Sequence, residues 1–205
     1  MTKILFLKTS PRSDDSFSTK VGAALVAQIE AAQPGSTVVV RDLGATPPPH
    51  IDSDYVVGRT LPTEQRSPKQ AKAVAIAEEL IGELMAADTV VIASAMINFS
   101  LSSSLKSWFD HILMPGGTFI YVDGAPQGLA TGKIAYIVEA RGGVYSEGPM
   151  QAYDFQEPYL RAVLGFIGIA DLRILLVEGI AYGPDAVEAA VAAAIGKIPG
   201  LLGGA

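Results

Sequence analysis

The fold is indicated first by ILFLKTSPRSDDSFSTKVGAALVAQI, residues 4–29. The apolar start of this stretch, Ile4–Leu7, is too brief for a buried helix and predicts a strand. A hydroxyl-rich loop follows it, and apolar residues at helical spacing then predict a helix over Ser18–Ala32. The stretch therefore predicts a strand, a loop and a helix in succession.

The same alternation continues along the chain. Four more apolar runs predict strands at Val38–Val40, Val90–Ala93, Ile134–Val138 and Ile174–Val177. Four more stretches with helical spacing predict helices at Pro68–Ala87, Leu101–Ile112, Asp154–Ile167 and Pro184–Ile198. Apolar strands that alternate with helices are typical of a parallel sheet covered on both sides. We therefore expect one α/β domain, residues 1–205, with a doubly wound five-stranded parallel sheet and helices on both faces.

Two segments interrupt this pattern. Residues 46–68 contain five prolines, which disfavour helix and predict an extended surface loop. Residues 115–132 carry several glycines together with Phe119 and Tyr121, and they predict a hairpin-like excursion. Long loops in compact domains are usually functional or mobile, so both segments are candidates for a substrate pocket.

Composition excludes several classes of function. The net charge of −6 and the lack of any block of basic residues argue against nucleic-acid binding. The absence of cysteine excludes disulfides, thiolate metal sites and cysteine nucleophiles. His50 and His111 have no metal-ligand spacing, so no metal is expected. The apolar runs are too short to span a bilayer and the first residues do not resemble a secretory signal, so we expect a cytoplasmic protein without membrane contact.

The loop between the first strand and the first helix is a candidate anion site. Ser10, Ser16, Ser18 and Thr19 offer hydroxyl donors beside the positive end of the helix dipole. The glycine-rich dinucleotide motif and the P-loop motif are both absent, so a single monophosphate suits this loop better than a pyrophosphate. The alternative is that these serines only cap the helix.

Two further loops leave strand ends. Met96, Asn98 and Phe99 follow the third strand and could supply the apolar faces and the amide that a flat isoalloxazine ring needs. The alternative there is a helix cap with Phe99 in the core. Gly142 and Gly143 follow the fourth strand, where the backbone could approach a ligand and its amides could stabilise negative charge on a flavin. The alternative is an ordinary glycine turn.

Taken in order, these motifs resemble the bacterial FMN-dependent NADH-azoreductases over nearly the whole chain. The shared features are the serine loop, MINF at 96–99 continuing to LKSWFD at 105–110, RGG at 141–143, GFIGI at 165–169 and EGIAYGP at 178–184. The resemblance implies a flavodoxin-like homodimer with tightly bound FMN and NADH or NADPH as electron donor. It also implies that quinones and azo compounds accept the electrons by a ping-pong hydride mechanism, with the chemistry at the flavin and no catalytic side chain.

The resemblance also implies a set of cofactor contacts. They are Ser10, Ser16, Phe17, Ser18, Met96, Ile97, Asn98, Phe99, Ala140, Arg141, Gly142 and Gly143. The chain departs from the expected family pattern at Ala95, Ile97, Ala140 and Tyr145, where proline, tyrosine, serine and histidine are frequent. These departures bear on the flavin potential and on substrate preference.

Three aromatic residues are assigned to the substrate pocket: Phe119, Tyr121 and Tyr145. Phe119 and Tyr121 share one side of an extended strand and, with Tyr55, suit a dimer interface or a lid over the flavin. Trp108 lies on an apolar helical stripe and is expected in the core.

Two other classes of function are alternatives. A flavodoxin-type electron carrier would bind the same cofactor but would serve protein partners and lack a nicotinamide site. A serine hydrolase is disfavoured because the sequence has no G-x-S-x-G motif.

Overall fold

The protein is described by a computed structural model that covers residues 1–12 and 15–203. Its central sheet has five parallel strands: β1 (Lys3–Lys8), β2 (Thr37–Asp42), β3 (Thr89–Ala95), β6 (Ile134–Ala140) and β7 (Asp171–Val177). A two-stranded antiparallel hairpin, β4 (Phe119–Val122) and β5 (Ala125–Gly128), stands apart from it. All five predicted strands and the predicted excursion at 115–132 are confirmed.

The described residues form six α-helices, of which the last follows β7: α1 (Phe17–Ala32), α2 (Ser53–Gly58), α3 (Pro68–Ala86), α4 (Ser103–Ile112), α5 (Glu157–Phe166) and α6 (Pro184–Gly203). Two apolar clusters cover the two faces of the sheet. One joins the sheet to α3, α4 and α5, and it contains Trp108 as expected. The other joins the sheet to α1 and α6. The layers are therefore helix, sheet and helix.

The strand order is β2-β1-β3-β6-β7. The chain moves from β1 outward to β2 and then returns past β1 to β3, so the direction of winding reverses between β1 and β3. Ligands of open α/β sheets bind beyond the carboxyl ends of the strands at such a switch point. The loops after β1, β3 and β6 leave the sheet side by side at this edge.

The expectation of an extended loop over residues 46–68 is wrong in part. Helix α2 and a short 3₁₀ helix, Thr63–Gln65, lie within it. The prolines flank these elements rather than interrupt them, and the side chain of Asp52 caps α2. Tyr55 was expected at an interface but is buried, and its hydroxyl donates to the carbonyl oxygen of His111 at 3.3 Å. The segment is therefore a packed part of the fold.

Helix α6 is the one described helix that is long and apolar enough to cross a membrane, judged by length and composition alone. Little of it is buried. It packs on α1 and β7 through Ala194 and Ile198. A single helix of this kind is weak evidence of a membrane span, and the expected lack of membrane contact stays a prediction.

Candidate functional site

The loop after β1 forms a cup of buried hydroxyl groups at the start of α1. Ser10, Ser16 and Ser18 are all nearly inaccessible to solvent. Ser16 is the N-cap residue of α1, and its Oγ lies 3.0 Å from Ser18 Oγ. The cup therefore collects side-chain hydroxyls at the positive end of the helix dipole. Ser13 and Asp14 of the same loop lie outside the described residues.

The cup holds a hydrogen-bonding group that the described chain does not use. Thr19 Oγ1 is buried and has no partner among the described residues. The amides in the first turn of any α-helix also lack an intrahelical carbonyl partner. The guanidinium of Arg12 lies 5.1 Å from the centre of the Phe17 ring, which brings a cation close to the start of α1. A phosphate group, with several acceptor oxygens and negative charge, fits these surroundings.

Gly44, which was not among the predicted site residues, fixes the position of this cup. A Cβ at Gly44 would lie 2.2 Å from the carbonyl oxygen of Ser10, which is a severe clash with backbone. Only glycine allows the loop after β2 to approach the loop after β1 this closely. The glycine directly after a strand was the only signal for this role in the sequence.

The loop after β3 makes a strained two-residue turn. Ile97 and Ser100 exchange backbone hydrogen bonds of 2.9 and 3.1 Å, with Asn98 and Phe99 between them. Asn98 has φ of 47° and Phe99 has φ of 72°. Asparagine tolerates this left-handed region, whereas phenylalanine is strained by about 1–3 kcal/mol. The side chain of Phe99 is exposed at the edge of the sheet.

Phe99 lies in a small aromatic cluster. Its ring centre is 6.2 Å from that of Tyr145 and 5.5 Å from that of Tyr153. The backbone amide of Phe155 donates to the carbonyl oxygen of Phe99 at 3.0 Å, which ties residues 149–155 to the turn. Tyr145, which was assigned to the substrate pocket, therefore lies beside Phe99. Tyr153 was not predicted, because no periodic pattern marks its short 3₁₀ helix.

The turn after β6 lies against the loop after β3. The amide of Met96 donates to the carbonyl oxygen of Ala140 at 2.9 Å. The carbonyl groups of Gly142 and Gly143 accept hydrogen bonds from the loop after β7. Their amides have no partner among the described residues, so both are available to a ligand such as the pyrimidine edge of a flavin.

The resemblance implies a flavin contact at Arg141, where the structure places the side chain in the interior. Its side chain is completely buried beneath the turn. Its amide donates to the carbonyl oxygen of Val177, and its own carbonyl accepts from the amide of Ile180. A glycine-rich turn suggested backbone exposure, but Arg141 is still part of the sheet edge. Ala140, the last residue of β6, is buried as well.

The carboxyl groups around Arg141 differ in the direction of their pKa shifts. Its guanidinium pairs with Glu139, with Asp154 at 3.0 Å and with Glu178 at 3.2 Å. Burial raises the pKa of Glu139 to about 8 against the opposing effect of Arg141, and the charges of Glu157 and Asp154 raise it further. Burial also acts to raise the pKa of Glu178, but hydrogen bonds from Ser146, Tyr145 and Arg141 hold it below its ordinary value.

The two aromatic residues predicted on the hairpin have different surroundings. Phe119 was expected to be exposed, but it is buried and its ring centre lies 4.8 Å from that of Phe166 on α5. Tyr121 is 63% exposed, next to exposed Ile120 and Val122. Contact with α5 removes Phe119 from the surface, so only Tyr121 stays available to a substrate or a partner.

A cavity of about 510 Å³ adjoins the strained turn on the side of α4. It is lined by Ile97, Asn98, Ser100, Leu101, Ser103, Lys106 and Tyr159. Pockets of this size, with apolar walls and a few polar groups, are typical of sites for small molecules.

The chain is similar in sequence to known proteins over nearly its whole length. The sequence profile of the family described as "Flavodoxin-like fold" matches residues 2–200. An FMN-dependent NADH:quinone oxidoreductase of Mesorhizobium japonicum is 49% identical over 195 residues, which cover 95% of this chain and 93% of that one. The FMN-dependent NADH:quinone oxidoreductase 2 of Rhizobium etli is 49% identical over 203 residues, 98% of each chain.

Solved structures show the same architecture. An azoreductase from Bacillus anthracis has a TM-score of 0.89 with this chain, at 30% sequence identity and 98% coverage of both chains. The match therefore covers nearly the whole of both chains.

Proposed function

Because the chain belongs to the family with the flavodoxin-like fold, we propose that it is an FMN-dependent NADH:quinone oxidoreductase that also reduces azo compounds. The observation that carries the proposal is the buried hydroxyl cup, with its unpartnered Thr19 Oγ1, at the switch point of the sheet. A cup of this kind selects a monophosphate, and FMN carries one.

Each of the three loops would contact a different part of the cofactor. Ser10, Ser16, Ser18 and the first amides of α1 would hold the phosphate of FMN. Met96, Ile97, Asn98 and Phe99 would lie against the ring system, and the amides of Gly142 and Gly143 would face its pyrimidine edge. These amide donors favour negative charge at that edge, which makes the ring easier to reduce.

When bound, FMN supplies the acceptor and donor of hydride, so the chain needs no catalytic acid or base of its own. The side chains position the reactants. The exposed aromatic cluster of Phe99, Tyr145 and Tyr153 gives a planar donor or acceptor a surface to stack on. NADH and the quinone or azo acceptor would occupy this place in turn, which is the ping-pong order.

The proposal includes a cytoplasmic homodimer. The hairpin presents Ile120, Tyr121 and Val122, three exposed apolar or aromatic side chains in sequence. Exposed aromatic residues are enriched at interfaces, and two-fold dimers are the commonest assembly. Tyr121 would then reach the site of the partner subunit.

Purification and turnover test the proposal together. The purified protein should be yellow and should release FMN, rather than riboflavin or FAD, on heating. Steady-state oxidation of NADH should depend on added quinone and on FMN, with NADPH compared in parallel. A colourless protein that takes up no FMN would contradict the proposal. FMN binding without steady-state NADH oxidation would instead favour the electron-carrier alternative.

A further inference from the structure

The side chain of Arg141 joins all the loops that carry the proposed ring site. It is completely buried, and its Nη1 lies 3.2 Å from Glu178 Oε1 after β7. Glu178 Oε1 in turn accepts the amides of Tyr145 at 2.8 Å and Ser146 at 3.0 Å. Through Glu178, Arg141 therefore holds the second half of its own turn.

A second arm reaches Ser94, near the end of β3. Arg141 Nε donates to Gln156 Oε1 at 3.2 Å, and Gln156 Nε2 donates to Ser94 Oγ at 2.8 Å. Gln156 and Ser94 are both buried. Ser94 lies two residues before Met96, so this arm fixes the point where the strained turn leaves the sheet.

A third arm fixes the start of α5. Arg141 Nη2 lies 3.0 Å from Asp154 Oδ2, and Asp154 Oδ1 accepts the amides of Gln156 and Glu157 at 3.0 and 3.1 Å. Tyr153, which directly precedes Asp154, packs on Phe99. The buried guanidinium is thus linked to the turn, to the end of β3 and to the segment that carries Tyr153.

We propose that Arg141 is a positioning residue for FMN: it never touches the cofactor, but its guanidinium sets the spacing between the loop after β3 and the turn after β6. The inference rests on the proposed function and adds to it. Its physical basis is that a buried arginine with several fixed partners has one low-energy geometry, because any displaced partner leaves an unpaired buried charge. The planar fork of arginine meets partners in several directions at once, which lysine cannot do.

The test compares FMN binding and the midpoint potential of bound FMN in wild type, Arg141→Gln and Arg141→Lys. We expect FMN affinity to fall by about tenfold or more in Arg141→Gln, with a shifted potential, and an intermediate loss in Arg141→Lys. The matched control is Arg173→Gln. Arg173 is also largely buried and bridges Asp171, Tyr136 and the carbonyl oxygen of Leu201, but at the other end of β7. The Arg173→Gln variant should be less stable than wild type but should bind FMN with wild-type affinity.

If Arg141→Gln does not fold, Gln156→Met removes only the arm to Ser94 and retains volume. It should shift affinity and potential in the same direction by less. Wild-type FMN affinity and potential in folded Arg141→Gln would overturn the inference. The same result in both Arg141→Lys and Gln156→Met would also overturn it, as would an equal loss of affinity in Arg173→Gln. A wild-type protein that binds no FMN would instead contradict the proposed function.

Discussion

The amide of Met96, one residue beyond the end of β3, donates to the carbonyl oxygen of Ala140, the last residue of β6, at 2.9 Å. The bond ties the loop that carries Phe99 to the turn that carries Gly142. Changes in either loop are therefore expected to alter the same property, the fit of the flavin ring, whereas changes in the cup should alter only how tightly the phosphate is held.

Loss of two cup hydroxyls should weaken FMN binding without unfolding the chain. Ser10→Ala with Ser18→Ala removes two donors to the phosphate, each worth roughly 1.5–3 kcal/mol as a hydrogen bond to a charged group. Ser16 is left intact because it caps α1. Calorimetric titration of FMN should show a loss of at least about a hundredfold. Ser36→Ala, at the exposed turn after α1, is the control; unchanged affinity in the double variant would remove the cup from the proposal.

Glu139 should make stability depend on pH. Its pKa is about 8 in the folded chain and about 4.5 in the unfolded chain. Between these values the folded state keeps a proton that the unfolded state has released, so stability is greatest below about pH 4.5 and falls as pH rises toward 8, by up to about 1.4 kcal/mol per pH unit. Glu139→Gln is neutral in both states and should remove this slope.

Urea unfolding of both proteins at several pH values between 5 and 9 measures the difference. The slope of the wild type minus that of Glu139→Gln isolates this carboxyl group from other titrating residues. Parallel slopes would show that Glu139 is ionised in the fold, paired with Arg141 throughout.

Much of the fold could be predicted because it depends on local pattern. The start of α3 at Pro68 follows from proline at the first helical position, and Ser67 at the N-cap forms a capping box with Gln70 in the first turn. The loops were harder to predict. Helix α2 was missed because the prolines of residues 46–68 lie toward both ends of the segment, and the part that forms the helix has none.

The site was predicted as a set of loops, but not as a set of side-chain directions. Arg141 and Phe119 are both turned inward by partners distant in sequence, Glu178 and Phe166, which no local pattern reveals. Tyr153 reaches Phe99 only through the fold. Backbone strain at Phe99 was equally hidden, because phenylalanine rarely adopts positive φ.

A valine at Gly142 should fold normally and exclude the flavin. A Cβ there would meet only Ala181, at an ordinary 3.6 Å, so the free protein has room for it. The added methyl groups would stand beside the amides that face the pyrimidine edge. Thermal unfolding of the FMN-free protein should match wild type while FMN affinity or potential drops. Gly82→Val, in open space on α3, should leave affinity unchanged; full occupancy and a wild-type potential in Gly142→Val would count against the turn.

Phe99→Gly should relieve strain, and Phe99→Ala should not. Both variants lose the ring, but only glycine is comfortable at φ of 72°. We expect Phe99→Gly to be more stable than Phe99→Ala by about 1 kcal/mol, the reverse of the usual order for these residues. Urea midpoints compare the two directly, and FMN affinity should fall equally in both. Greater stability of the alanine variant would show that the turn carries no strain.

Tyr121 tests the shared active site of the proposed dimer. It is 63% exposed on the hairpin and has its main ring contact with buried Phe119, at 5.7 Å. A charge at this position would be left in an apolar interface, so Tyr121→Asp should shift the assembly toward monomers. Val40→Asp, on the exposed edge strand β2, is the control and should stay dimeric.

A shared active site should lose turnover before it loses FMN when the protein is diluted. If the partner's Tyr121 completes the acceptor site, monomers should lose NADH-dependent quinone reduction while FMN is still bound, because the cup and the two other cofactor loops lie within one chain. Sedimentation velocity and turnover would be measured on the same dilution series, for wild type and Tyr121→Asp. Full turnover by a monomer at working concentration would refute the shared site and leave the cofactor site standing.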